Sequence, residues 1–239
     1  MKEYGLIGRP LGHSASAVYF TDKFGREAID ARYRLYELDD ISQVESLRGV
    51  LSGFNVTIPY KKAMLPYLAS VSEEAAEVGA VNCVKIDPCG AMHGYNTDVV
   101  GIRTTLAPFD LAGKQALVLG TGGAAAAVNY VLKGLGMCVI SVSRVAKEGA
   151  ISYEKVTDEV IASTSLIVNA TPVGMYPHVD EAPDIPYSAL TPRHILFDLI
   201  YNPKNTLFLR RGAERGATTV GGGEMFQAQA EASWQIWNR

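Results

Sequence analysis

Apolar residues in this chain come in short runs bounded by polar, glycine or proline positions, alternating with stretches whose apolar residues recur at helical spacing. In the first part the pattern predicts strands at 4–7, 32–38, 53–58, 80–86 and 91–94, with helices at 14–24, 61–68 and 72–78 between them. Ser72 ahead of Glu74 and Ala75 marks a capped start for the third of these helices, and Gly79 marks its stop. The second part opens with a helix over 99–107, broken by Pro108. A buried strand at 115–119 runs into a glycine turn and an alanine-rich helix to Leu135, stopped by Gly136; a strand at 137–143 follows. Apolar runs at 165–169 and 195–199 suit strands covered on both faces. A helix at 207–215, a short strand at 217–220, the flexible Gly221-Gly222-Gly223 and a last helix at 224–238 complete the pattern. Strands alternating with helices throughout predict an α/β protein with largely parallel sheets.

With 239 residues the chain can form one large α/β domain or two small ones, with room for a sizeable core. Its 48% hydrophobic and 20% charged residues are ordinary for a globular protein. A net charge of −3, with no Lys/Arg cluster longer than two residues, argues against a nucleic-acid partner. No apolar run reaches the length of a membrane span, and residues 1–8 lack the apolar core and cleavage site of a signal peptide. Cys83, Cys89 and Cys138 are odd in number and form no C-x-x-C pair, so free thiols in a reducing cytoplasm are expected. Four scattered histidines without H-x-x-x-H spacing predict no metal site.

The segment Gly120-Thr121-Gly122-Gly123-Ala124-Ala125 places Gly, Gly and Ala at the positions of a dinucleotide fingerprint, between a strand and a helix. The first Gly permits the tight turn, the second lets the backbone approach a pyrophosphate, and the helix N-terminus points its free N–H groups at the anion. At the end of the next strand an NAD site carries Asp or Glu, whereas this chain has Ser143-Arg144, with Lys147 three residues on. A guanidinium there can grip a 2′-phosphate, which predicts NADP over NAD. Lys61, just past Pro59 at a strand end, is a candidate acid/base, with its neighbour Lys62 the ordinary solvated alternative. Asp98 can be its partner or only the cap of the following helix, and Ser14 and Ser16 can bind an anion or only cap the first helix. A Lys and an Asp able to share a proton beside a nucleotide cradle point to proton-coupled hydride transfer.

Eight segments in order resemble the shikimate dehydrogenase family. They are Gly8-x-Pro10-x-x-His13-Ser14-x-Ser16, Asn55-Val56-Thr57-Ile58-Pro59-x-Lys61, Gly79-Ala80-Val81-Asn82 and Gly94-x-Asn96-Thr97-Asp98. The others are Gly120-x-Gly122-Gly123-Ala124, Asn169-Ala170-Thr171-Pro172-x-Gly174-Met175, Asp198-x-x-Tyr201-x-Pro203 and Met225-Phe226-x-x-Gln229. The resemblance implies two α/β domains with a cleft between them. A substrate domain would span 1–98 plus the returning segment 222–239, with a Rossmann-like NADP domain of parallel strands at 99–221. It also implies reversible reduction of 3-dehydroshikimate to shikimate with NADPH, in chorismate and aromatic amino-acid biosynthesis. Lys61 and Asp98 would be the catalytic pair. Ser14, Ser16, Thr57, Asn82, Tyr201 and Gln229, with that pair, would hold the substrate. Gly120 to Ala124, Ser143, Arg144, Asn169, Thr171, Met175 and Gly222 would line the cofactor. The expected assembly is a monomer or homodimer.

The chain departs from the family at Ala17, where proline is usual, and at Ser143-Arg144-Val145 with Glu148, where Asn-Arg-Thr and a second Arg are usual, so that only one of two cationic grips on the cofactor remains. It is also short for the family, which suggests trimmed loops near 145–160. Two rival readings remain open here. One is a quinate-preferring or dual-substrate enzyme, decided by pocket shape near Ser14, Thr57 and Tyr201. The other is a cofactor-binding paralogue without turnover, against which the retention of Lys61 and Asp98 counts.

Overall fold

Tyr4 and Leu6 point to one side of the first strand and Ile7 to the other, all three buried, and the first sheet grows outward from that strand. The computed structural model describes residues 1–12, 14–145 and 148–239; His13, Ala146 and Lys147 lie outside the described residues. The chain divides into two units, one of 1–97 with 229–239 and one of 98–228.

In the first unit β1 (Lys2–Gly8) pairs in parallel with β2 (Ala31–Glu37) on one side and β3 (Gly53–Val56) on the other. Next come β5 (Cys83–Ile86) and β6 (Met92–Tyr95), each antiparallel to its predecessor, and finally β4 (Ser70–Val71), parallel to β6. The pleat sorts the side chains: Phe54, Val56, Val84 and Met92 enter one core layer, while Tyr4, Tyr33 and Cys83 enter the other. The second layer is covered by helix α1 (Ala15–Arg26) and by the end of α7 (Gly223–Trp237), the last helix of the chain. Aromatic rings fill it, with Tyr4 stacked on Trp237 at 4.8 Å and Phe20 stacked on Tyr33 at 4.6 Å between centroids. Gly53 is required here, because a methyl group would overlap the Trp237 ring, whose Nε1–H donates to Val84 O at 3.0 Å. Buried Lys23 of α1 pairs with Glu27 at the end of its own helix at 2.8 Å and ties α1 to α7 through Glu231 at 3.0 Å.

The second unit begins with α3 (Asp98–Leu106) and builds a wholly parallel sheet. Its strands are β7 (Gln115–Leu119), β8 (Cys138–Ser143), β9 (Ala150–Ser152), β10 (Leu166–Asn169), β11 (Ile195–Asp198) and β12 (Thr218–Val220). They lie in the order β12-β11-β10-β7-β8-β9. Counted from β7 this is the doubly wound 3-2-1-4-5-6 order, which reverses direction between β7 and β10. Helices α4 (Gly123–Gly134), α5 (Asp158–Ser163) and α6 (Leu207–Ala213) make the crossovers, and Leu117, Leu119, Ile167, Leu196 and Phe208 are buried in the core.

Several expectations need correction. The first sheet is largely parallel, as expected, but carries one reversed strand that the pattern did not show: β5 runs against both neighbours. The helix expected at 61–68 is a turn followed by a single 3₁₀ turn, Leu65–Tyr67; Pro66 lacks the N–H that an α-helix needs there. The periodicity reading also missed the strands β4 and β9, helix α5 and a 3₁₀ helix, Ile41–Leu47, although Asp40 and Gln43 form a capping box at the start of the last. Helix α2 (Glu73–Val78) itself is capped by Ser72 and stopped by Gly79 at φ 68°, as the sequence suggested. The unit boundaries differ from 98/99 and 221/222: Asp98 and residues 222–228 fall in the second unit. The reason is local. The backbone of Met225 lies against Gly101, and Phe226 packs on Tyr201 with ring centroids 4.7 Å apart.

Trp237 is 4% exposed and touches Tyr4, Phe20 and Tyr33. Its replacement by Ala should cost the first unit about 3–5 kcal/mol, read as a lowered urea midpoint. A midpoint within error of wild type would show that the last helix does not hold this layer.

Candidate functional site

The topology of the first unit brings three strand ends to one rim. Strands β1, β3 and β6 run in the same direction and β5 begins where they end, so the residues after β3, before β5 and after β6 are neighbours. These are Thr57 and Lys61, then Asn82, then Thr97, which leads directly into Asp98. Arg9 N–H donates to Ile58 O at 3.0 Å, which sets the segment after β1, leading to Ser14 and Ser16, beside the turn after β3. Ser14 caps α1, its Oγ accepting from Ser16 N–H at 3.2 Å, and its own O–H can still donate. Thr57 and Lys61 are half-buried, and the main-chain oxygen of Lys61 accepts from Val81 N–H at 2.8 Å. Asp98 is 6% exposed and is the first residue of α3.

Behind this rim lies a buried polar knot. Asn82 Nδ2 donates to Thr97 Oγ1 at 3.0 Å, and Asn82 Oδ1 accepts from Thr97 N–H at 2.6 Å. Thr97 Oγ1 also donates to Gln229 Oε1 at 3.4 Å and lies 3.1 Å from Ser233 Oγ. Ser233 Oγ in turn accepts from Asn55 Nδ2 at 2.9 Å, and Asn55 Oδ1 accepts from Tyr33 Oη–H at 2.9 Å. Asn82 and Gln229 are therefore brought together by residues that sequence reasoning gave no role: Tyr33, Asn55 and Ser233. Their signal was a polar residue where the pattern calls for an apolar one, as with Asn55 between Phe54 and Val56.

In the second unit Gly120 ends β7 at φ 108°, and a Cβ there would sit 3.1 Å from Ala170 O and from Thr171 Cγ2. The turn after β7 thus presses against the loop after β10, at the point where the strand order reverses. Gly122 caps α4 without any side-chain hydrogen bond, and a Cβ on Gly122 or Gly123 would meet nothing within 4 Å. With Thr121 and Ala124 these residues leave a helix N-terminus open to an anion. Ser143 ends β8, and Arg144 beside it is exposed. These features fit an adenine dinucleotide with a 2′-phosphate. Lys147, noted as a nearby cation in the sequence, lies outside the described residues.

Across the reversal point the polar groups are tightly organised. Asn169, fully buried, accepts at Oδ1 from Thr171 N–H at 3.1 Å and Thr171 Oγ1–H at 2.6 Å. Its Nδ2 donates to Asp198 Oδ1 at 3.1 Å. Asp198 is also fully buried, and burial pushes its carboxyl up to about 6 against the hydrogen bonds that favour the anion. Gly222 N–H donates to Ile200 O at 3.1 Å, with no room for a side chain against Leu199, while Tyr201 and Met175 are exposed on the two loops. Among the described residues no helix is long and apolar enough to cross a membrane, and no cluster of three or more His, Cys, Asp or Glu could hold a metal ion.

Residues 6–84 match the family described as the shikimate dehydrogenase substrate binding domain. Over 256 residues the chain is 36% identical to an NADP(+) shikimate dehydrogenase of Bacillus cereus, covering 98% of this chain and 91% of that protein. The chain belongs to the shikimate dehydrogenase family. Among solved structures of that family, shikimate dehydrogenase 1 of Peptoclostridium difficile has 36% identity and a TM-score of 0.85, covering 100% of this chain and 92% of the other. Shikimate 5-dehydrogenase of Thermus thermophilus, solved with NADP(H) and shikimate, has 28% identity and a TM-score of 0.87, covering 99% and 93%. These likenesses extend over both units, so the family's fold accounts for the mixed sheet and the parallel sheet alike.

The raised carboxyl of Asp198 has a consequence for stability. Its folded-state value lies above the unfolded one, so the contribution is fully present below the unfolded value near 4 and is lost as pH rises through about 6. Relative to Asp198→Asn, which does not titrate, the wild type should lose about 3 kcal/mol of stability between pH 3 and pH 8, at 1.36 kcal/mol per pK unit. Parallel urea titrations of the two proteins check this. A pH-independent difference between them would show that Asp198 does not titrate in this range.

Proposed function

We infer that this protein catalyses the reversible, NADP-dependent interconversion of shikimate and 3-dehydroshikimate. The observation that carries this is full-length similarity to NADP(+) shikimate dehydrogenases, combined with an open α4 N-terminus and Arg144, rather than a carboxylate, after β8. We assign substrate binding to the first unit, Gln229 included, together with Asp98 and Tyr201, and cofactor binding to the second. Ser14, Ser16 and Thr57 hold the substrate carboxylate, where hydroxyl donors and the first turn of α1 converge. Asn82, Asp98 and Gln229 hold the ring hydroxyls. Gly120 to Ala124 take the pyrophosphate, Ser143 and Arg144 the 2′-phosphate, and Asn169, Thr171, Met175 and Gly222 the remaining half.

NADP supplies the hydride acceptor when bound. Oxidation of the secondary alcohol then requires its hydroxyl proton to leave, and reduction of the ketone requires one to return. Lys61 moves that proton at Nζ: neutral it accepts from the alcohol, and as the ammonium it donates to the ketone oxygen. Asp98 orients Lys61 and accepts a hydrogen bond from the same hydroxyl. The knot behind Asn82 and Thr97 supports this reading, since it fixes the backbone from which Asp98 departs. A reducing cytoplasm suits the three unpaired cysteines, of which Cys83 is buried, with burial pushing its thiol up to about 12.

Turnover of shikimate and quinate, each with NADP and NAD, tests the assignment; the reading requires shikimate with NADP to be the preferred pair. Lys61→Ala should lower kcat by about 10²–10⁴ with a much smaller change in the KM for shikimate. Asp98→Asn should be comparably damaging, and the double mutant strongly non-additive. Retention of more than about a tenth of wild-type kcat by Lys61→Ala, a far smaller loss than that range, would remove Lys61 from the mechanism. Arg144→Ala should raise the KM for NADP by about tenfold to a few hundredfold and leave that for NAD near its wild-type value, through loss of one or two charge-assisted bonds. Equal effects on the two cofactors would place the 2′-phosphate elsewhere.

A further inference from the structure

Asp198 carries a carboxylate sealed inside the second unit, and the chemistry assigned above does not use it. Its oxygens are fully committed: Oδ1 accepts from Ile200 N–H at 3.0 Å and from Asn169 Nδ2 at 3.1 Å, while Oδ2 accepts from Thr206 Oγ1–H at 2.6 Å. The Asn169 amide spreads this anchorage into the loop after β10. Its Oδ1 takes both donors of Thr171, its Nδ2 also reaches Val173 O at 3.2 Å, and Val173 N–H donates to Thr171 Oγ1 at 3.2 Å. The side-chain hydrogen bonds of Asn169 and Thr171 thus connect to one buried carboxylate, beside the main-chain bond of Ala170 N–H to Leu119 O at 3.0 Å. Among the described residues the turn after β7 is held instead by glycine geometry and by Gly120 N–H donating to Val142 O at 2.9 Å.

A doubly wound sheet binds a dinucleotide as two mononucleotide halves across its reversal point. Here the β7–β8–β9 half carries the glycine turn and Arg144, and so takes the adenosine bisphosphate portion. The β10–β11–β12 half carries the loop that Asp198 anchors. We propose that Asp198 is a positioning residue for the nicotinamide half of the cofactor site, holding residues 169–173 in their binding shape through the Asn169 amide. This rests on the reading of the chain as an NADP-dependent enzyme. The raised carboxyl value noted above agrees with it, because so dry a carboxylate is retained at a cost that its hydrogen bonds only partly offset.

The test separates the two halves by using two probes, NADP and adenosine 2′,5′-bisphosphate, each titrated against the apo protein by calorimetry. In Asp198→Ala the Kd for NADP should rise about ten- to a hundredfold, the loss of hydrogen bonding to a charged group, while that for the bisphosphate stays within about twofold. Asp198→Asn should restore NADP binding to within about threefold, because its Oδ1 can still accept from Ile200 and Asn169 while its amide donates to Thr206. Amide hydrogen exchange of the apo proteins should show faster exchange at Thr171 and Val173 in the Ala variant and near-wild-type exchange in the Asn variant. Should Asp198→Ala not fold, Asp198→Ser, whose single hydroxyl cannot serve both Ile200 and Asn169, must show the same split between probes. Equal weakening of both probes, or none, in the folded variants overturns the proposal. A wild-type protein that binds the bisphosphate but gains nothing from the nicotinamide half also overturns it. Failure of the wild type to bind either probe would instead sink the cofactor assignment on which it rests.

Discussion

Asn55, Ser233 and Asp198 are polar groups sealed away from water, and such a group left without partners costs about 1–3 kcal/mol. In each unit the arrangement of the surrounding loops supplies the partners that avoid that penalty. Asn55 satisfies its amide through the hydroxyl of Ser233 and the main chain of Asn82, and Ser233 meets Thr97. Asp198 gathers Asn169, Ile200 and Thr206. The loops at the strand ends are therefore held by buried polar bonds with specific directions, whereas the layers beneath them are held by apolar contact, which tolerates more variation. This is why the segments read as substrate- and cofactor-binding have defined shapes although they lack regular secondary structure.

Strand direction decides what each rim can present. In the first unit the mixed sheet lets β1, β3 and β6 end, and β5 begin, at the same edge, so hydroxyls, an amide and a lysine collect within a few residues of one another in space. That inventory suits a small ligand with a carboxylate and several hydroxyls. In the second unit all six strands run the same way and the order reverses once, and the floor of that reversal point is Gly120, close against the loop that carries Thr171. Glycine is needed at that floor both for its φ of 108° and because a side chain would meet the neighbouring loop.

The last helix shows how one element serves two packing environments. Its first turns present Met225 and Phe226 to Gly101 and Tyr201, and its later turns present Ala230, Ser233 and Trp237 to the aromatic layer of the first unit. The change falls between residues 228 and 229. Gln229, the first residue on the far side, accepts from Thr97 Oγ1–H, so the helix delivers an amide to the buried polar knot at the place where its surroundings change.

Hydrophobic patterning in the sequence was enough to reveal the α/β class, the glycine turn with its strand and helix, and the caps at Ser72 and Gly79, because those features depend on residues close together in the chain. The order of motifs likewise pointed to the family and to its site residues. Patterning could not reveal that β5 runs antiparallel, since a strand's direction relative to its neighbours leaves no mark on its own periodicity. Short elements such as β4 and β9 also escaped, because two or three residues show no period. The supporting roles of Asn55, Ser233 and Asp198 were invisible for a different reason. A polar residue in an apolar run is only an anomaly until its partner, 178 positions away for Asn55 and Ser233, is brought alongside by the fold. What the tertiary structure decided was which distant polar groups meet, because buried donors and acceptors must pair and only the packed sheet fixes with whom.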